Sequence, residues 1–522
     1  RSASFPWDLI VPKPLSLKNS LYKVLCLLLV FSFSELQAQE KRKTKRINYK
    51  ADKQLSSTQA GKTRLFGNVQ FDHEGALMDC DSAWYFKDEN RIISFRNIEV
   101  NQGDSLFMWG DQLEYSGETR QAVVTGDEVK LKDKEMTLTT DRLRLDRNTN
   151  IAYYTTGGIV ESDENTLLSH EGYYNSNFKV FSFKDSVILN NPQYTIYTDT
   201  MDYDSEAYIA YFFGPTTIIS DSSKIYCENG RYNTQTDIAQ FNKNAFIYDG
   251  PRYLTGDSLY YERAGEYGEA FRNVLIHDTL DHYLITGNYG EYFGVKDSAY
   301  VTGDPLYTVV DEEGDSLHVH GDTLYSSTRT DSLGTQSRLL QIFYGVRFMR
   351  KDMQGTCDSL SYSTLDSTFR MYKDPIMWDD STQITGDTIY LLTANDKPDT
   401  LKVLSNAFMV SQTDSIRYNQ VKGRQMLGKF GNGELRKVYV NGNGEAIYYP
   451  KEEDGSYLGM NRSICSRILI ILKDSEVKRI TWIGKPEGVM HPIDKIPADR
   501  KILDGFKPRF DERPLSKADL FK

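Results

Sequence analysis

The stretch Leu254-Thr255-Gly256-Asp257-Ser258-Leu259-Tyr260-Tyr261 decides the fold, because its pattern returns about a dozen times along the chain. The pattern reads apolar, any residue, small, acidic, any residue, apolar, any residue, aromatic. With the small residue as the marker, the copies lie near thirty residues apart, at Cys80, Gly110, Thr140, His170, Thr198, Cys227, Gly256, Gly287, Gly321, Cys357, Gly386 and Gly423. Such a period is typical of stacked units that bury their apolar faces only against their neighbours.

The parity of the apolar positions changes inside each copy. Leu254 and Gly256 share one strand parity, whereas Leu259 and Tyr261 share the other. Because alternate residues of a strand lie on one face, the change predicts one inserted residue, a bulge or corner, at the acidic position between them. We expect the acidic side chain of each copy to satisfy backbone donors at this corner.

Each repeat also contains a second strand, such as Phe271-Arg272-Asn273-Val274-Leu275-Ile276, and turn-forming residues separate the two strands. No window shows a sustained helical period with caps. The sequence therefore predicts an all-β fold, an elongated repeat β-jellyroll or solenoid of about twelve repeats of about 30 residues, with a small C-terminal segment. The predicted boundaries are 1–38 for a signal peptide, 39–58 for a basic linker, 59–250 and 251–445 for the two halves of the repeats, and 446–522 for the C-terminal segment.

The first residues have the pattern of an export signal. Lys13, Lys18 and Lys23 precede an apolar run from Val24 to Phe33, which is too short to span a bilayer. A small-residue cleavage site follows at Ala38. We expect an exported, soluble protein that resides in the periplasm, and an association with the outer membrane stays open.

Charge and cysteine placement restrict the partners and the crosslinks. Residues 51–522 carry 52 basic and 70 acidic side chains, a net charge of −18, so nucleic acid is not expected as a partner. Cys80, Cys227 and Cys357 share the marker position but lie four or five repeats apart. At about 4.8 Å per strand they are too distant for a disulfide, which needs Cα atoms within about 7 Å, so we expect free thiols.

Catalytic and metal motifs are weak in this chain. Gly61-Lys62-Thr63 resembles the end of a phosphate-binding loop, but Ser56 stands where the motif requires glycine. His318 and His320 share a strand face, and we expect both to point outward and to be exposed. A carboxylate that recurs in ten of the twelve copies is unlike a catalytic pair, which would occur once. The sequence therefore predicts no enzyme, no metal and no cofactor.

The small markers leave two interpretations open. They make room for an apolar furrow between two facing sheets, or glycine serves the geometry of the corner. The residues predicted to line such a furrow are Met108, Leu138, Leu168, Ile196, Ile225, Leu254, Gly256, Leu259, Tyr261, Ile285, Gly287, Tyr292, Val319, Gly321, Leu360 and Ile384.

The repeats resemble a known family. Gly256-Asp257-Ser258-Leu259-Tyr260-Tyr261, Gly386-Asp387-Thr388-Ile389-Tyr390 and Val301-Thr302-Gly303-Asp304 are similar to the strand repeats of OstA-like proteins, the lipopolysaccharide-transport proteins of the LptA type. The resemblance covers roughly residues 60–445, and residues 446–522 resemble the tail of long OstA-like chains. It implies a β-jellyroll whose apolar interior carries the acyl chains of lipid A, and end-to-end contacts with other jellyroll proteins of the export machinery.

Three functions follow as hypotheses. The first is a periplasmic, non-enzymatic carrier or bridge that binds lipopolysaccharide acyl chains in an apolar furrow for transport to the outer membrane. The second is a surface or scaffold repeat protein whose core is filled. The third is a β-helical enzyme that acts on polysaccharides, which would require clustered Asp, Lys or Arg on one face of neighbouring repeats.

Overall fold

The computed structural model of the protein describes residues 46–522 except 58–60, 104–105, 134–135, 163, 222, 281, 312–313, 333, 380, 395–396, 432, 453 and 474–475. The predicted signal peptide and the first part of the predicted linker lie outside the described residues. Within the described part, no helix has the length and apolar character needed to cross a membrane.

The described residues fold almost entirely into β-strands. The strands of the first part are β1 Asn48–Lys50, β2 Lys53–Ser57, β3 Lys62–His73, β4 Ala76–Phe86, β5 Arg91–Gln102, β6 Leu106–Ser116, β7 Gln121–Lys132, β8 Thr137–Asp146, β9 Ile151–Tyr154, β10 Gly158–Ser162, β11 Asn165–Ser169, β12 Glu171–Asn175, β13 Val180–Asn191, β14 Tyr194–Asp204, β15 Ile209–Ser220, β16 Ser223–Asn233, β17 Ile238–Asp249 and β18 Arg252–Glu262. Those of the second part are β19 Tyr267–Asp278, β20 Tyr283–Phe293, β21 Ser298–Thr302, β22 Leu306–Val310, β23 Ser316–His320, β24 Thr323–Thr330, β25 Gln336–Met349, β26 Met353–Ser363, β27 Thr368–Tyr372, β28 Ile376–Asp379, β29 Thr382–Thr385, β30 Thr388–Ala394, β31 Lys397–Gln412, β32 Tyr418–Gly431, β33 Glu434–Tyr448, β34 Met460–Lys473, β35 Glu476–Ile483 and β36 Glu487–His491. Short 3-10 turns occupy Gly294–Lys296, Ile493–Lys495, Ala498–Arg500, Phe510–Glu512 and Lys517–Phe521. The predicted all-β class is confirmed.

The strands form one antiparallel meander. Each long strand pairs with the next long strand along the chain, as β3 pairs with β4, β4 with β5 and β5 with β6. At several positions two short strands share the place of one long strand, as β9 and β10 do beside β8. Because neighbours in sequence are neighbours in space, the repeat is a hairpin of two strands, and the stack grows along the chain. The number of repeats stays a prediction.

Long strands bend at a bulge near their middle. The β4–β5 register shifts between Asp79 and Ser82, and the β18–β19 register shifts between Thr255 and Ser258, so each shift spans a marker and its acidic residue. On either side of the first shift, the buried side chains are Met78, Cys80, Ala83 and Tyr85. The predicted change of parity is therefore found where the sequence placed it.

The strand that follows each marker contributes the other side of the corner. In β5 and β19 two consecutive residues adopt left-handed backbone conformations, with φ of 64° and 47° at Arg96 and Asn97, and 53° and 50° at Arg272 and Asn273. Two such residues turn the chain sharply, and asparagine tolerates this region better than most residues. The corner divides the sheet into two parts. Wall 1 consists of the strand segments on the side of the residues that precede the markers, such as Leu254 and its partner Ile276. Wall 2 consists of the segments on the side of the residues that follow the markers, such as Leu259 and its partner Ala270.

Asparagine side chains are the commonest donors to the corner carboxylates. Nδ2 of the left-handed asparagine donates to the carboxylate of the strand before it, in the pairs Asn68–Asp52 (3.0 Å), Asn97–Asp81 (3.0 Å), Asn244–Glu228 (2.7 Å), Asn273–Asp257 (2.9 Å) and Asn406–Asp387 (3.0 Å). Asp111 accepts a backbone donor, the N–H of Asp127, at 3.1 Å. In these five pairs an amide replaces the expected backbone donor, because the bend turns the asparagine toward the carboxylate. Elsewhere other side chains donate: Thr156 donates to Asp141, and Ser359 and Lys373 donate to Asp358.

We predict that backbone conformation dominates the stability of a corner. Asn273→Ala should lower the free energy of unfolding by about 1–2 kcal/mol, since alanine is strained in the left-handed region, and Asn273→Gly should cost less although it also removes the amide. Denaturant unfolding of both variants and of Asp257→Ala measures this. An equal or larger loss for Asn273→Gly would show that the Asn273–Asp257 hydrogen bond is the main contribution.

The four cysteines of the described region are free and buried. The predicted absence of a disulfide among Cys80, Cys227 and Cys357 is confirmed. Burial raises the pKa of the Cys80 thiol to about 11 and those of Cys227 and Cys357 to about 12. These thiols are therefore protonated at neutral pH and behave as small apolar core residues.

The sheet extends beyond the predicted repeat boundaries at both ends. β1 and β2 pair with β3, although the sequence assigned residues 39–58 to a linker. At the other end β33 pairs with β34, which in turn pairs with β35 and β36. The copy at the C-terminal end was not recognised because Ser466 stands where the acidic residue is expected. At the N-terminal end Asp52 is present, but Gln54 and Ser56 replace the apolar and aromatic residues that should follow it.

The last thirty residues form a strap on the outside of wall 1. This C-terminal strap, residues 493–522, crosses the strands in reverse order, from a contact of Arg462 Nη1 with the carbonyl of Arg500 (3.3 Å) to one of Arg347 Nη1 with the carbonyl of Asp519 (3.0 Å). Leu503 and Leu520 are buried within it. Beneath it both faces of the sheet are covered, so that Ile376, Met377 and Trp378 are consecutive buried residues.

Three glutamines at the same repeat position hold the strap. Gln354, Gln383 and Gln420 each lie three residues before a marker and are buried. Nε2 of Gln383 donates to the carbonyl of Lys507 (2.9 Å), and its Oε1 accepts the N–H of Arg509 (2.7 Å). Gln420 repeats this pairing with Lys501 and Leu503, and Oε1 of Gln354 accepts from the Arg513 guanidinium. Each amide thus satisfies strap groups that would otherwise be buried without partners.

We predict that Gln383→Ala lowers the free energy of unfolding by about 1–3 kcal/mol, because it leaves a buried N–H and a buried C=O of the strap unpaired. Equilibrium unfolding and proteolysis of the strap measure the effect. Gln240→Ala, on a half-exposed site of β17, is the matched control and should change little. Identical unfolding curves for Gln383→Ala and the native chain would contradict this role.

Candidate functional site

A cavity of about 1600 Å³ lies between the two walls in the middle of the stack. Its lining includes Leu254 of wall 1 and Leu259 and Tyr261 of wall 2, which belong to one strand on opposite sides of its corner. The corner therefore folds the sheet around a common interior. Strands β14 to β26 contribute most of the lining, and its surface is mainly apolar.

Small side chains in wall 2 leave this space empty. Ala239, Gly268, Ala270 and Gly290 line the cavity. A Cβ atom at Gly290 would find its nearest neighbours at 3.6 Å, which is ordinary van der Waals contact, so the position is not tightly packed. Between β3 and β13 the corresponding interior holds large rings instead: Tyr115, Tyr154, Phe181 and Phe183 are all buried.

The exposure of the tyrosine five residues after the marker differs between the filled and the hollow part of the stack. Tyr85 and Tyr115, five residues after their markers, are 5% and 8% exposed, whereas Tyr292 at the same position is 40% exposed. Tyr292 also lines the cavity. Solvent thus reaches the inner face of the sheet at Tyr292, and the cavity is open there.

Charged residues surround the opening. Arg252 Nε lies 3.2 Å from Oδ2 of the buried Asp278, and Arg350 Nη2 lies 2.9 Å from Oδ2 of Asp311. Each of these ion pairs contributes an arginine to the cavity lining. Polar headgroups can remain hydrated at such a rim while apolar chains lie inside.

Tyrosines join the charged rim to the apolar lining. The Tyr232 hydroxyl donates to Asp237. Burial, followed by this hydrogen bond, raises the pKa of Tyr232 well above its ordinary value. The phenol therefore stays neutral over the physiological range and presents an apolar ring with a polar tip.

The structure brings seven of the predicted lining residues to the cavity and places the others elsewhere. The seven are Ile196, Ile225, Leu254, Leu259, Tyr261, Ile285 and Tyr292. Leu138 lines a separate cavity of about 20 Å³ in the filled half, which is the part of the stack between β3 and β13. Four are buried in packed core away from the cavity: Met108, Val319, Leu360 and Ile384. Contact with lipid stays a prediction for the whole set.

The marker glycines belong to the corner. A Cβ at Gly287 would lie 2.5 Å from Cγ1 of Val301, one at Gly321 would lie 2.6 Å from Cγ2 of Ile342, and one at Gly256 would lie 3.3 Å from the carbonyl of Phe271. None of the three lines the cavity. The structure favours the interpretation that glycine serves the corner, because the neighbouring strand leaves no room for a side chain.

Leu168 points outward, and its predicted inward placement is wrong. It is 36% exposed, whereas Leu167 is 5% exposed. The marker of this copy is the buried Ser169, and His170 occupies the corner between β11 and β12. With Ser169 as the marker, the spacing is 29 residues from Thr140 through Ser169, Thr198 and Cys227 to Gly256. The sequence pattern places the marker at His170 because the acidic residue Glu171 directly follows it, and this is one position too late.

His318 and His320 point outward as predicted, but they are not freely exposed. Nδ1 of His320 lies 2.8 Å from the carbonyl oxygen of Pro305, and its ring lies 4.4 Å from that of Phe521 in the strap. Burial, and then the charge of Lys517, lower the pKa of His318. In the described residues no group of three or more His, Cys, Asp or Glu side chains is arranged to hold a metal.

The small wall 2 residues were missed from the sequence. Gly290 stands three residues after the marker Gly287, where Leu259 stands in the preceding copy. Ala239, Gly268 and Ala270 lie on the strands between the markers, outside the recognised pattern. A comparison of side-chain volume at this position from copy to copy would have found Gly290 but not the other three.

A family model matches the first part of the chain. Residues 43–199 and, overlapping them, 193–250 match the family model described as OstA-like protein. The chain contains an OstA-like region. The predicted resemblance is thus confirmed there, and the same bulged strands continue beyond residue 250.

No curated protein matches the chain. The solved structure of LptH, the LptA homologous periplasmic component of the conserved lipopolysaccharide transport device from Pseudomonas aeruginosa, is similar at 12% identity over 27% of this chain and 95% of LptH, with a TM-score of 0.21. A TM-score this low carries no statement about fold or ligand.

We predict opposite outcomes for one substitution at two glycines of β20. Gly290→Leu should extend into the cavity and reduce the amount of bound lipid with little change in stability. Gly287→Leu should meet Val301 and the backbone of Thr302 and lower the free energy of unfolding by about 1–3 kcal/mol or more. Thermal melting and lipid binding of both variants measure this. If Gly290→Leu melts like Gly287→Leu, the cavity is not open space.

Proposed function

We propose that the protein is a periplasmic, non-enzymatic carrier that binds the acyl chains of lipopolysaccharide in the central cavity, on their way to the outer membrane. The observation that carries the proposal is the apolar cavity of about 1600 Å³ between two walls of one folded sheet. The OstA-like region supports lipopolysaccharide as the lipid, since that is the ligand class which the resemblance of the repeats implies.

The chemistry of the cavity suits an amphipathic ligand. Each methylene group moved from water into apolar surroundings is stabilised by about 0.8 kcal/mol, so a cavity lined by Ile225, Leu254 and Ile285 favours acyl chains without any specific polar contact. Sugars and phosphates would remain at the rim beside Arg252 and Arg350. Binding of this kind needs no covalent chemistry.

The filled half keeps the scaffold hypothesis relevant for part of the chain. Buried rings such as Tyr154 and Phe183 occupy the interior of that half. We therefore assign lipid binding to the middle of the stack and a structural role to strands β3–β13. End-to-end contacts with other jellyroll proteins remain part of the proposal, and the terminal strands β1, β2, β35 and β36 are the edges that would make them.

The corner carboxylates do not favour an enzyme. Asp257 accepts from Asn273 and pairs with Arg272, whose Nε lies 3.2 Å away. The same Asn–carboxylate pair recurs in other copies, so it belongs to the construction of the sheet. The polysaccharide-active alternative therefore finds no support at the corners.

Site-specific photocrosslinking tests the proposal. A Tyr292→p-benzoyl-phenylalanine variant, produced in a lipopolysaccharide-forming host and irradiated, should form an adduct that antibodies to lipopolysaccharide detect. Tyr344→p-benzoyl-phenylalanine is the control, because Tyr344 is 63% exposed on the outside of a corner. Tyr115→p-benzoyl-phenylalanine probes the same repeat position in the filled half.

The proposal predicts adducts at Tyr292 and at neither Tyr115 nor Tyr344. Absence of an adduct at Tyr292, or equal adducts at Tyr344, would contradict binding in the cavity. An adduct of Tyr292 with another acylated lipid, identified by mass spectrometry, would retain the carrier function and replace its ligand.

A further inference from the structure

The ends of the hairpins form two rims that face each other across the opening. Rim 1 consists of the turns at the wall 1 end of the hairpins, such as those that follow β3, β13 and β17, and rim 2 consists of the turns at the wall 2 end, such as those that follow β6, β16 and β18. The rims touch at Gln193 and Arg263, where Nη2 of Arg263 donates to Oε1 of Gln193 at 3.0 Å. Both side chains are exposed. A single exposed hydrogen bond of this kind is weak, so the rims can separate there.

The rims are joined more extensively in the filled half. Arg120 forms an ion pair with Glu74, and Nη1 of Arg147 donates to the carbonyl of His73 at 3.0 Å. Nδ1 of His73 also lies 2.7 Å from the hydroxyl of Tyr115. These contacts close the side of the stack where the interior is already occupied.

Large rings block the axial end of the cavity toward the N-terminal strands. Tyr174 stacks on Phe181 with ring centroids 4.1 Å apart, and Phe183 packs beside them. The Tyr154 hydroxyl lies 2.6 Å from Oγ of Ser169, and its ring occupies the space that a Cβ at Gly158 or Gly172 would need. A chain that slid along the stack would have to displace several buried aromatic side chains, which interiors packed at this density resist.

The opposite axial end is packed as well. Beyond β31, the last strand that lines the cavity, the interior holds Met426, Val438, Val440 and Ile470, which are at most 3% exposed. Solvent access is found on the side, at Tyr292 and at the rim residues Arg252 and Asp297, whose side chains are 46% and 45% exposed. The opening of the cavity is therefore lateral.

We propose that the acylated lipid enters and leaves the cavity sideways, between the two rims, with the Gln193–Arg263 contact as the clasp at one end of the opening. The inference rests on the proposed function, and it concerns the path of the ligand. Separation of the rims at the clasp widens the opening, and reformation of the hydrogen bond narrows it again. The lipid thus passes through the side of this chain and does not thread through the whole stack.

A reversible crosslink at the clasp tests the path. The Gln193→Cys/Arg263→Cys variant is joined by a short bifunctional thiol reagent that contains a cleavable disulfide. The four native cysteines of the described region are buried, so the introduced thiols react selectively. Uptake of fluorescently labelled lipopolysaccharide is then followed in crosslinked and cleaved protein.

The proposal predicts that crosslinking before exposure slows uptake at least tenfold, and that crosslinking after loading slows release to the same extent. Cleavage of the reagent should restore both rates. The matched control is Glu74→Cys/Arg120→Cys, which joins the rims over the filled half and should leave uptake unchanged after crosslinking. Thermal melting of each variant shows whether it is folded.

Unchanged uptake after crosslinking at the clasp would overturn lateral passage. Faster uptake by Phe183→Ala in the crosslinked protein would overturn it as well, because a lipid would then pass through the axial end. In either case adducts at Tyr292 would still support the carrier. Failure of every uncrosslinked variant to take up lipid, together with the absence of adducts at Tyr292, would instead reject the proposed function.

Discussion

The bend in each strand is the constraint on which the rest of the structure depends. An extra residue at the marker and two left-handed residues on the next strand turn the chain at the same height in successive strands. The asparagine–carboxylate hydrogen bond joins the two sides of the bend. Without this bend, the meander would be a flat sheet with one face of Leu, Ile and Tyr in water, which large exposed sheets do not tolerate. With it, one sheet buries its own apolar face.

Once the sheet is folded, the volume of its inward side chains decides what each part can do. The backbone pairing is alike in both halves, so the difference between a filled and a hollow interior lies in single residues. Tyr154 and Phe181 close the interior near the N-terminal strands, and Gly268 and Gly290 leave it open in the middle. The cavity is therefore a local departure from a packed stack. The strap acts on the other face, where the buried Gln383 and Gln420 hold it against wall 1.

The strand pattern could be predicted from the sequence because the burial period is local. Met78, Cys80, Ala83 and Tyr85 are buried as their spacing requires, and the parity change locates the bulge. The copy assigned to His170 shows the limit of a pattern that depends on one acidic residue. Its marker is in fact Ser169, which faces inward.

Contacts between distant segments could not be predicted in this way. Gln383 lies at an outward position of its strand, and only residues more than a hundred positions later explain its burial. The hollow at Gly290 likewise depends on what stands across the fold, and a glycine at a strand position is equally compatible with close packing, as at Gly287. The side of the cavity that opens to solvent depends on the relative placement of two rims, which local spacing does not encode.

The central claim is that this folded sheet holds an acylated lipid, and native mass spectrometry tests it most directly. Protein purified from the periplasm of a lipopolysaccharide-producing host, without detergent, should show a mass that exceeds the polypeptide by that of one multiply acylated lipid, and collisional activation should release this lipid intact. Gly290→Leu should show the polypeptide mass in a larger fraction. Native protein that carries the polypeptide mass alone, from a host in which lipopolysaccharide is abundant, would contradict the account.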